Sequence, residues 1–152
     1  MPYNLGMKGT LLQVNVSRGG LPKLPVLQAH VGAAGVDGDR QLNKKFHGGL
    51  DRAICLFSTE LYDRLRSFEI DVVPGSVGEN FTTTGLDLHK LKPGDRLKVG
   101  DCTIEITKVR IPCASLKKWD ADLPELMVGF SGWVAKVVNE GIVRPGDDIQ
   151  TL

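Results

Sequence analysis

Pro93-Gly94-Asp95-Arg96-Leu97-Lys98-Val99-Gly100-Asp101-Cys102-Thr103-Ile104-Glu105-Ile106-Thr107-Lys108-Val109 is the stretch on which the fold turns. Pro93-Gly94-Asp95 and Gly100-Asp101 are turn sequences, each followed by residues that alternate in polarity. Leu97 and Val99 oppose Arg96 and Lys98; Cys102, Ile104 and Ile106 oppose Thr103, Glu105 and Thr107. A period of two with one apolar side is the pattern of a half-buried strand, and strands separated by so short a turn pair antiparallel. Pro145-Gly146-Asp147 repeats the device ahead of a strand over Asp148 to Leu152. A further strand is predicted over Trp133 to Val138, with Asn139-Glu140-Gly141 as a hairpin turn.

The same reading extends toward the N-terminus. From Gly9 to Ser17, Thr10, Leu12, Val14 and Val16 share one parity, and Pro25 to Val31 alternates less cleanly as a second strand. Ala53-Ile54-Cys55-Leu56-Phe57 is an apolar run that predicts a strand buried on both faces. Ser58 then caps a helix from about Thr59 to Glu69 whose apolar stripe is Leu61, Leu65 and Phe68. Pro74-Gly75-Ser76-Val77-Gly78-Glu79-Asn80 reads as loop, and Thr82-Thr83-Thr84-Gly85 has neither helical nor strand period. About seven short strands, one helix and no βαβ rhythm predict a mainly β fold, a partly closed antiparallel β-barrel with a few short helices.

Composition narrows the function. A chain of 152 residues with 18 glycines and 8 prolines fits one domain, residues 1–152, rich in turns. Nineteen Lys and Arg against 18 Asp and Glu leave +1, which gives no general electrostatic ground for binding nucleic acid. No apolar run approaches the roughly 20 residues that span a bilayer, and residues 1–6 lack the apolar core of a secretory signal, so a cytoplasmic protein is expected. Three cysteines, an odd number, are expected as reduced thiols. Cys102 lies on the apolar parity of its strand and Cys55 within an apolar run; both read as small core hydrophobes.

Cys113 differs. It follows Pro112, which ends a strand, and precedes Ala114-Ser115-Leu116-Lys117-Lys118, where a short helix begins, with Arg110 and Lys117 on either side. Cationic neighbours and a helix N-terminus favour a thiolate, the reactive and metal-binding form; the alternative is that both cations point to solvent. His47-Gly48-Gly49-Leu50-Asp51-Arg52 sets an imidazole beside two glycines and an Asp/Arg pair. The glycines suit close approach of a ligand or a nest of backbone N–H groups, and the alternative is a plain turn. Gly75 to Asn80 offers a second glycine-bearing loop able to cradle an anion, and the Asn80 amide suits a heterocycle edge. His30 and His89 read as surface residues, and Trp119, Phe130 and Trp133 as core residues or a stacking wall.

In order, Gly38-Asp39-Arg40, Phe46-His47-Gly48-Gly49-Leu50-Asp51-Arg52-Ala53, Gly78-Glu79-Asn80-Phe81-Thr82-Thr83-Thr84-Gly85-Leu86 and Arg110-Ile111-Pro112-Cys113 resemble the molybdenum-cofactor sulfurase C-terminal (MOSC) domain family. The resemblance runs from about Leu11 to Ile149 and is nearest to the stand-alone bacterial branch that reduces N-hydroxylated bases. Leu50 departs from the Pro more often found there. What it implies is a barrel related to the pyruvate-kinase barrel domain that binds a pterin-based molybdenum cofactor. Cys113 would then be the metal ligand and a catalytic residue, and His47 a catalytic proton source. Arg40, Arg52 and Arg110 would be anchors for the cofactor phosphate, with His47, Gly48, Gly49, Glu79 and Asn80 completing the cofactor-binding set; the alternative role for Glu79 is to orient an arginine. The implied partners are a small-molecule substrate and an electron-donor or cofactor-accepting protein. The alternative function is a carrier that holds a persulfide or the cofactor and delivers it to another protein.

Overall fold

The turn at Gly100-Asp101 folds β7 (Arg96–Val99) onto β8 (Cys102–Val109), with Val99 opposite Cys102 and Arg96 opposite Glu105. The molecule, a computed structural model, is described over residues 6–40 and 50–152. Around this hairpin the strands run in spatial order β11 (Asp148–Thr151), β7, β8, β9 (Trp133–Asn139), β5 (Ile54–Ser58), β6 (Phe81–Thr84) and β1 (Lys8–Val16). Strand β1 pairs with β6 on one side and, through Lys8 to Thr10, with β11 on the other. Seven strands therefore close on themselves, and the ring is complete where the sequence predicted a partly closed one. Closure leaves the ring without an exposed edge. The short β2 (Leu24–Val26) hangs on the far half of β1, and β10 (Gly141–Val143), β3 (Ala29–Gly32) and β4 (Gly35–Val36) form a separate small sheet.

Side chains from β1, β5, β6, β7 and β8 fill the interior of the ring: Leu11, Ile54, Leu56, Phe81, Leu97, Ile104 and Ile106 are all essentially inaccessible. Burying each is worth about 1.5–3 kcal/mol. Helix α1 (Thr59–Ser67) starts where expected, with the Ser58 hydroxyl accepting from the Leu61 amide at 3.1 Å. Tyr62 joins Leu61 and Leu65 on its buried side, while Phe68 is the C-cap and half exposed, so the predicted stripe ends one turn early.

Four other expectations change for identifiable reasons. A bulge in β1 between Leu11 and Gln13 shifts the register against β6, so Leu11 is buried and Leu12 turns outward. Phe81–Thr84, which has no apolar alternation, is a strand held between β5 and β1; the Thr82 hydroxyl donates to Glu79 and the Thr59 hydroxyl to Thr84, while the Thr83 hydroxyl is buried without a partner. It runs parallel to β5, with α1 in the crossover, and is the exception to an otherwise antiparallel ring. Pro25 to Val31 splits between β2 and β3, and Asn139 to Gly141 is not a hairpin, since β10 leaves β9 to pair with β3.

Candidate functional site

The broken end of β8 opens a cleft of about 720 Å3. Its floor follows from strand register. Lys108 on β8 faces Val134 on β9, and Val134 faces Cys55 on β5. The row continues because the Cys55 amide donates to the Asn80 side-chain oxygen at 3.0 Å and the Asn80 amide to the Cys55 carbonyl at 2.9 Å. One wall is the segment from Val109 to Ser115 that leaves β8, and the opposite rim carries Gly20, Leu21 and Lys23.

Charge is what sets this cleft apart. Lys23, Arg40, Arg52, Lys108 and Arg110 line it, and among the described residues no Asp or Glu does, in a chain whose total is +1. Lys23 is matched by Asp39 just behind it, at 2.5 Å. Arg110 is 7% exposed; its Nη2 donates to the Val77 carbonyl while its Nη1 is buried with no partner. Its own backbone is clasped, the amide donating to the Gly132 carbonyl and the carbonyl accepting from the Ser131 hydroxyl. Gly132 is required there, because its φ is +89° and a Cβ would strike the Leu56 carbonyl. A buried guanidinium with an unpartnered nitrogen is costly unless a ligand completes it. An anion is the natural completion, since guanidinium groups pair with phosphate through two parallel bonds.

The three thiols have three environments. Cys113 is half-buried on the cleft wall, with its sulfur 2.7 Å from the Ser115 hydroxyl. It stands at the start of a 3-10 turn over Ala114–Lys118, too short to contribute much dipole, and Lys117 lies outside the cleft; Arg110 is the one of its two sequence-flanking cations that lines the same cleft. Cys102 is buried in the ring and burial pushes its thiol up to about 12, as expected of a packing residue. Cys55 corrects the sequence reading: it is half-buried on the cleft floor, and desolvation raises its thiol, with Arg110 opposing.

The loop before β6 is also corrected. Its amides are occupied within the protein: Gly75 donates to Glu79, Ser76 to Val73, Val77 to the Tyr62 hydroxyl and Gly78 to Gly75. It therefore cradles no anion through those groups. Glu79 is fully buried behind the cleft wall, where its carboxylate accepts from Tyr62 at 2.6 Å, Thr82 at 2.7 Å and Gly75 at 3.1 Å; desolvation nevertheless raises its pKa. The Asn80 amide is likewise committed, its oxygen to Cys55 and its nitrogen to Asp39 at 2.9 Å, so it shapes the cleft floor and holds the Lys23 partner in place.

Of the residues singled out in the sequence, Arg40, Arg52, Asn80, Arg110 and Cys113 meet at this cleft, and Glu79 lies behind it. His47, Gly48 and Gly49 fall outside the described residues. Trp119 and Trp133 donate to the Ser76 and Leu88 carbonyls, and neither they nor Phe130 line the cleft, whose apolar surface among the described residues is aliphatic. Sequence reasoning missed Lys23, Lys108 and Cys55. Parity would have misplaced Lys108: a bulge between Ile106 and Lys108 turns it from the Ile106–Ala135 face to the face of Val134 and Cys55.

Comparison with known proteins agrees with the fold and places the chain. Residues 43–150 match the MOSC domain. The chain is 36% identical over 118 residues to protein YiiM of Escherichia coli strain K12, covering 72% of this chain and 52% of YiiM. It is 31% identical over 121 residues to the uncharacterized protein YflK of Bacillus subtilis strain 168, covering 76% of this chain and 55% of YflK. It thus spans about half the length of these curated relatives. The crystal structure of YiiM from Geobacillus stearothermophilus superposes with a TM-score of 0.77 at 25% identity over 95% of this chain and 75% of that one. The YuaD protein of Bacillus subtilis superposes with a TM-score of 0.80 over 96% of both chains, a likeness of fold at 18% identity.

Proposed function

The chain belongs to the MOSC domain family, and from that premise we propose that it holds a pterin-based molybdenum cofactor in the cationic cleft and reduces N-hydroxylated substrates there. The observation that carries the reading is a cleft lined by five cations and no carboxylate among the described residues, one of them Arg110, whose Nη1 is buried and unpartnered. Such a site suits a ligand that ends in phosphate. The second support is the sulfur of Cys113 on the wall of the same cleft, a soft donor for a soft, redox-active metal.

When bound, the cofactor supplies the two-electron chemistry that removes oxygen from the substrate nitrogen. The work of the chain itself is to bind and orient. Arg110, Arg40 and Lys23 would hold the phosphate, and Cys113 would be the protein's ligand to the metal. Asn80 and Asp39 keep Lys23 and the floor in register, and His47 is the proton donor that the sequence offers.

Elemental and pterin analysis tests this on protein produced in cells with an intact cofactor pathway. Molybdenum and pterin near one per chain are expected, together with reduction of a hydroxylaminopurine that Cys113→Ser abolishes. Full activity in that variant removes the sulfur from the mechanism. A persulfide on Cys113 by mass spectrometry, with no turnover of any hydroxylamine, establishes the carrier function instead.

A further inference from the structure

The cations of the cleft divide into two groups that lie on opposite sides of an uncharged floor. Lys23, Arg40 and the Arg110 guanidinium gather at one end: Arg110 donates to Val77, Lys23 and Asn80 share Asp39, and Arg40 follows Asp39 in the chain. At the other end stands Lys108, with Arg52 beside it, because the Thr107 hydroxyl donates to the Asp51 carbonyl at 2.6 Å and so seats the 3-10 turn Leu50–Arg52 against the end of β8. Between the two ends the floor is Val134 and Cys55, one on each intervening strand. Lys108 to Asn80 is three strand spacings, about 14 Å along the sheet at ~4.8 Å each. A phosphate seated against Asn80, where Lys23 and the Arg110 guanidinium gather, is then beyond the reach of an extended Lys108 side chain.

The charges match one phosphate at the first end. Among the described residues, three cations against the single carboxylate of Asp39 leave a surplus of two, which suits a phosphomonoester carrying about −1.5 to −2 at neutral pH. Lys108 is then left facing the cleft with no carboxylate paired to it among the described residues, although Glu105 and Lys136 show that such pairs form readily elsewhere on the same strands. The cleft volume, about 720 Å3, lies in the upper part of the range for sites that bury a drug-sized ligand, consistent with two ligands side by side.

We propose that the Lys108 end is a second anion subsite, which recognises a phosphate on the substrate itself, so that the preferred substrate is an N-hydroxylated purine nucleotide and not the free base or nucleoside. This rests on the function proposed above, in which the first end is taken by the cofactor phosphate. Lys108 is a specificity residue here: it binds a group remote from the reacting nitrogen and leaves the chemistry untouched.

The test is calorimetric titration of cofactor-loaded protein with adenosine monophosphate and with adenosine, as unreactive stand-ins for the two substrate forms. The loaded protein is expected to bind the monophosphate about tenfold more tightly, the scale of one charge-assisted contact in a partly screened site. Lys108→Ala is expected to erase that preference and Lys108→Arg to keep it. Lys108 is exposed, so neither change threatens folding. Equal affinity for the two ligands, or a preference that survives Lys108→Ala, overturns the proposal. Pterin content, measured on the same samples, keeps the two ideas apart: chains that take up no pterin end the functional reading and this inference with it, whereas loaded chains without the preference end the inference alone.

Discussion

Glu79 and Arg110 are both buried ionisable residues beside the loop that precedes β6, yet the protein treats them in opposite ways. Around Glu79 the folded chain supplies a donor to each carboxylate oxygen, from Tyr62, Thr82 and Gly75, and the group has no access to the cleft. Around Arg110 it supplies one acceptor, the Val77 carbonyl, and leaves Nη1 facing nothing of its own. Complete pairing marks a residue that holds the fold; incomplete pairing at a cleft marks one kept ready for a ligand. The difference between the two is therefore a difference between stability and binding, and it can be attacked from either side.

The largest effect is expected at the complete network. Glu79→Ala removes the shared acceptor and strands three buried donors, which costs about 3 kcal/mol of unfolding free energy even after the carboxylate's own desolvation is relieved. Urea denaturation followed by circular dichroism measures it. A loss below about 1 kcal/mol would mean that the network does not organise this face of the barrel.

Arg110→Met inverts the pattern. The aliphatic stem is replaced by a side chain of similar length, the buried Val77 carbonyl loses its donor and the unpartnered nitrogen disappears, so stability is expected to fall by about 1–2 kcal/mol, less than in Glu79→Ala. Affinity for the phosphate-bearing ligand, in contrast, is expected to fall about 10- to 100-fold, from the ~1.5–3 kcal/mol of a charge-assisted bond. Should stability fall as far as in Glu79→Ala while binding persists, Arg110 is a structural residue and the comparison fails.

How much of this contrast the sequence disclosed follows from what each residue depends on. The strands at Arg96–Val99, Cys102–Val109 and Asp148–Thr151 were readable because each is specified by its own alternation and by the turn before it. Phe81–Thr84 and Gly141–Val143 were not, because what makes them strands is a partner far away in the chain: β5 and β1 for one, β3 for the other. The site divides in the same way. Arg40, Asn80, Arg110 and Cys113 were visible as members of a familiar order of motifs, whereas Lys23 and Cys55 enter only through register and loop packing. That Glu79 would turn inward was beyond reach as well, since an acid next to Asn80 in a glycine-bearing loop reads as exposed until Tyr62 is folded over it. Covalent neighbours reveal periodicity; they do not reveal which polar atoms will be left without a partner.

The smallest and sharpest test is the pH dependence of stability carried by Glu79. Burial raises its pKa above the ordinary 4.5, and the bonds from Tyr62, Thr82 and Gly75 offset that only in part. An acid whose folded pKa is raised binds its proton more tightly in the folded chain, so its contribution to stability is complete below 4.5 and declines as pH rises from there through the folded value. Glu79→Gln keeps the size and part of the network: its oxygen accepts from Gly75 and Thr82, while its amide, itself a donor, meets the Tyr62 hydroxyl, whose proton loses its acceptor at a cost that does not vary with pH over this range. The glutamine has no proton to lose in this range. Unfolding free energies measured for both proteins from pH 4 upward should therefore converge or cross, the wild type losing stability relative to the variant as pH rises. Parallel curves would show that Glu79 titrates alike in folded and unfolded chains, and that donors from the loop and α1 fully replace the water it gave up. Arg110 gives no such slope, because a guanidinium stays charged throughout that range, and the two residues would then be separable by pH alone.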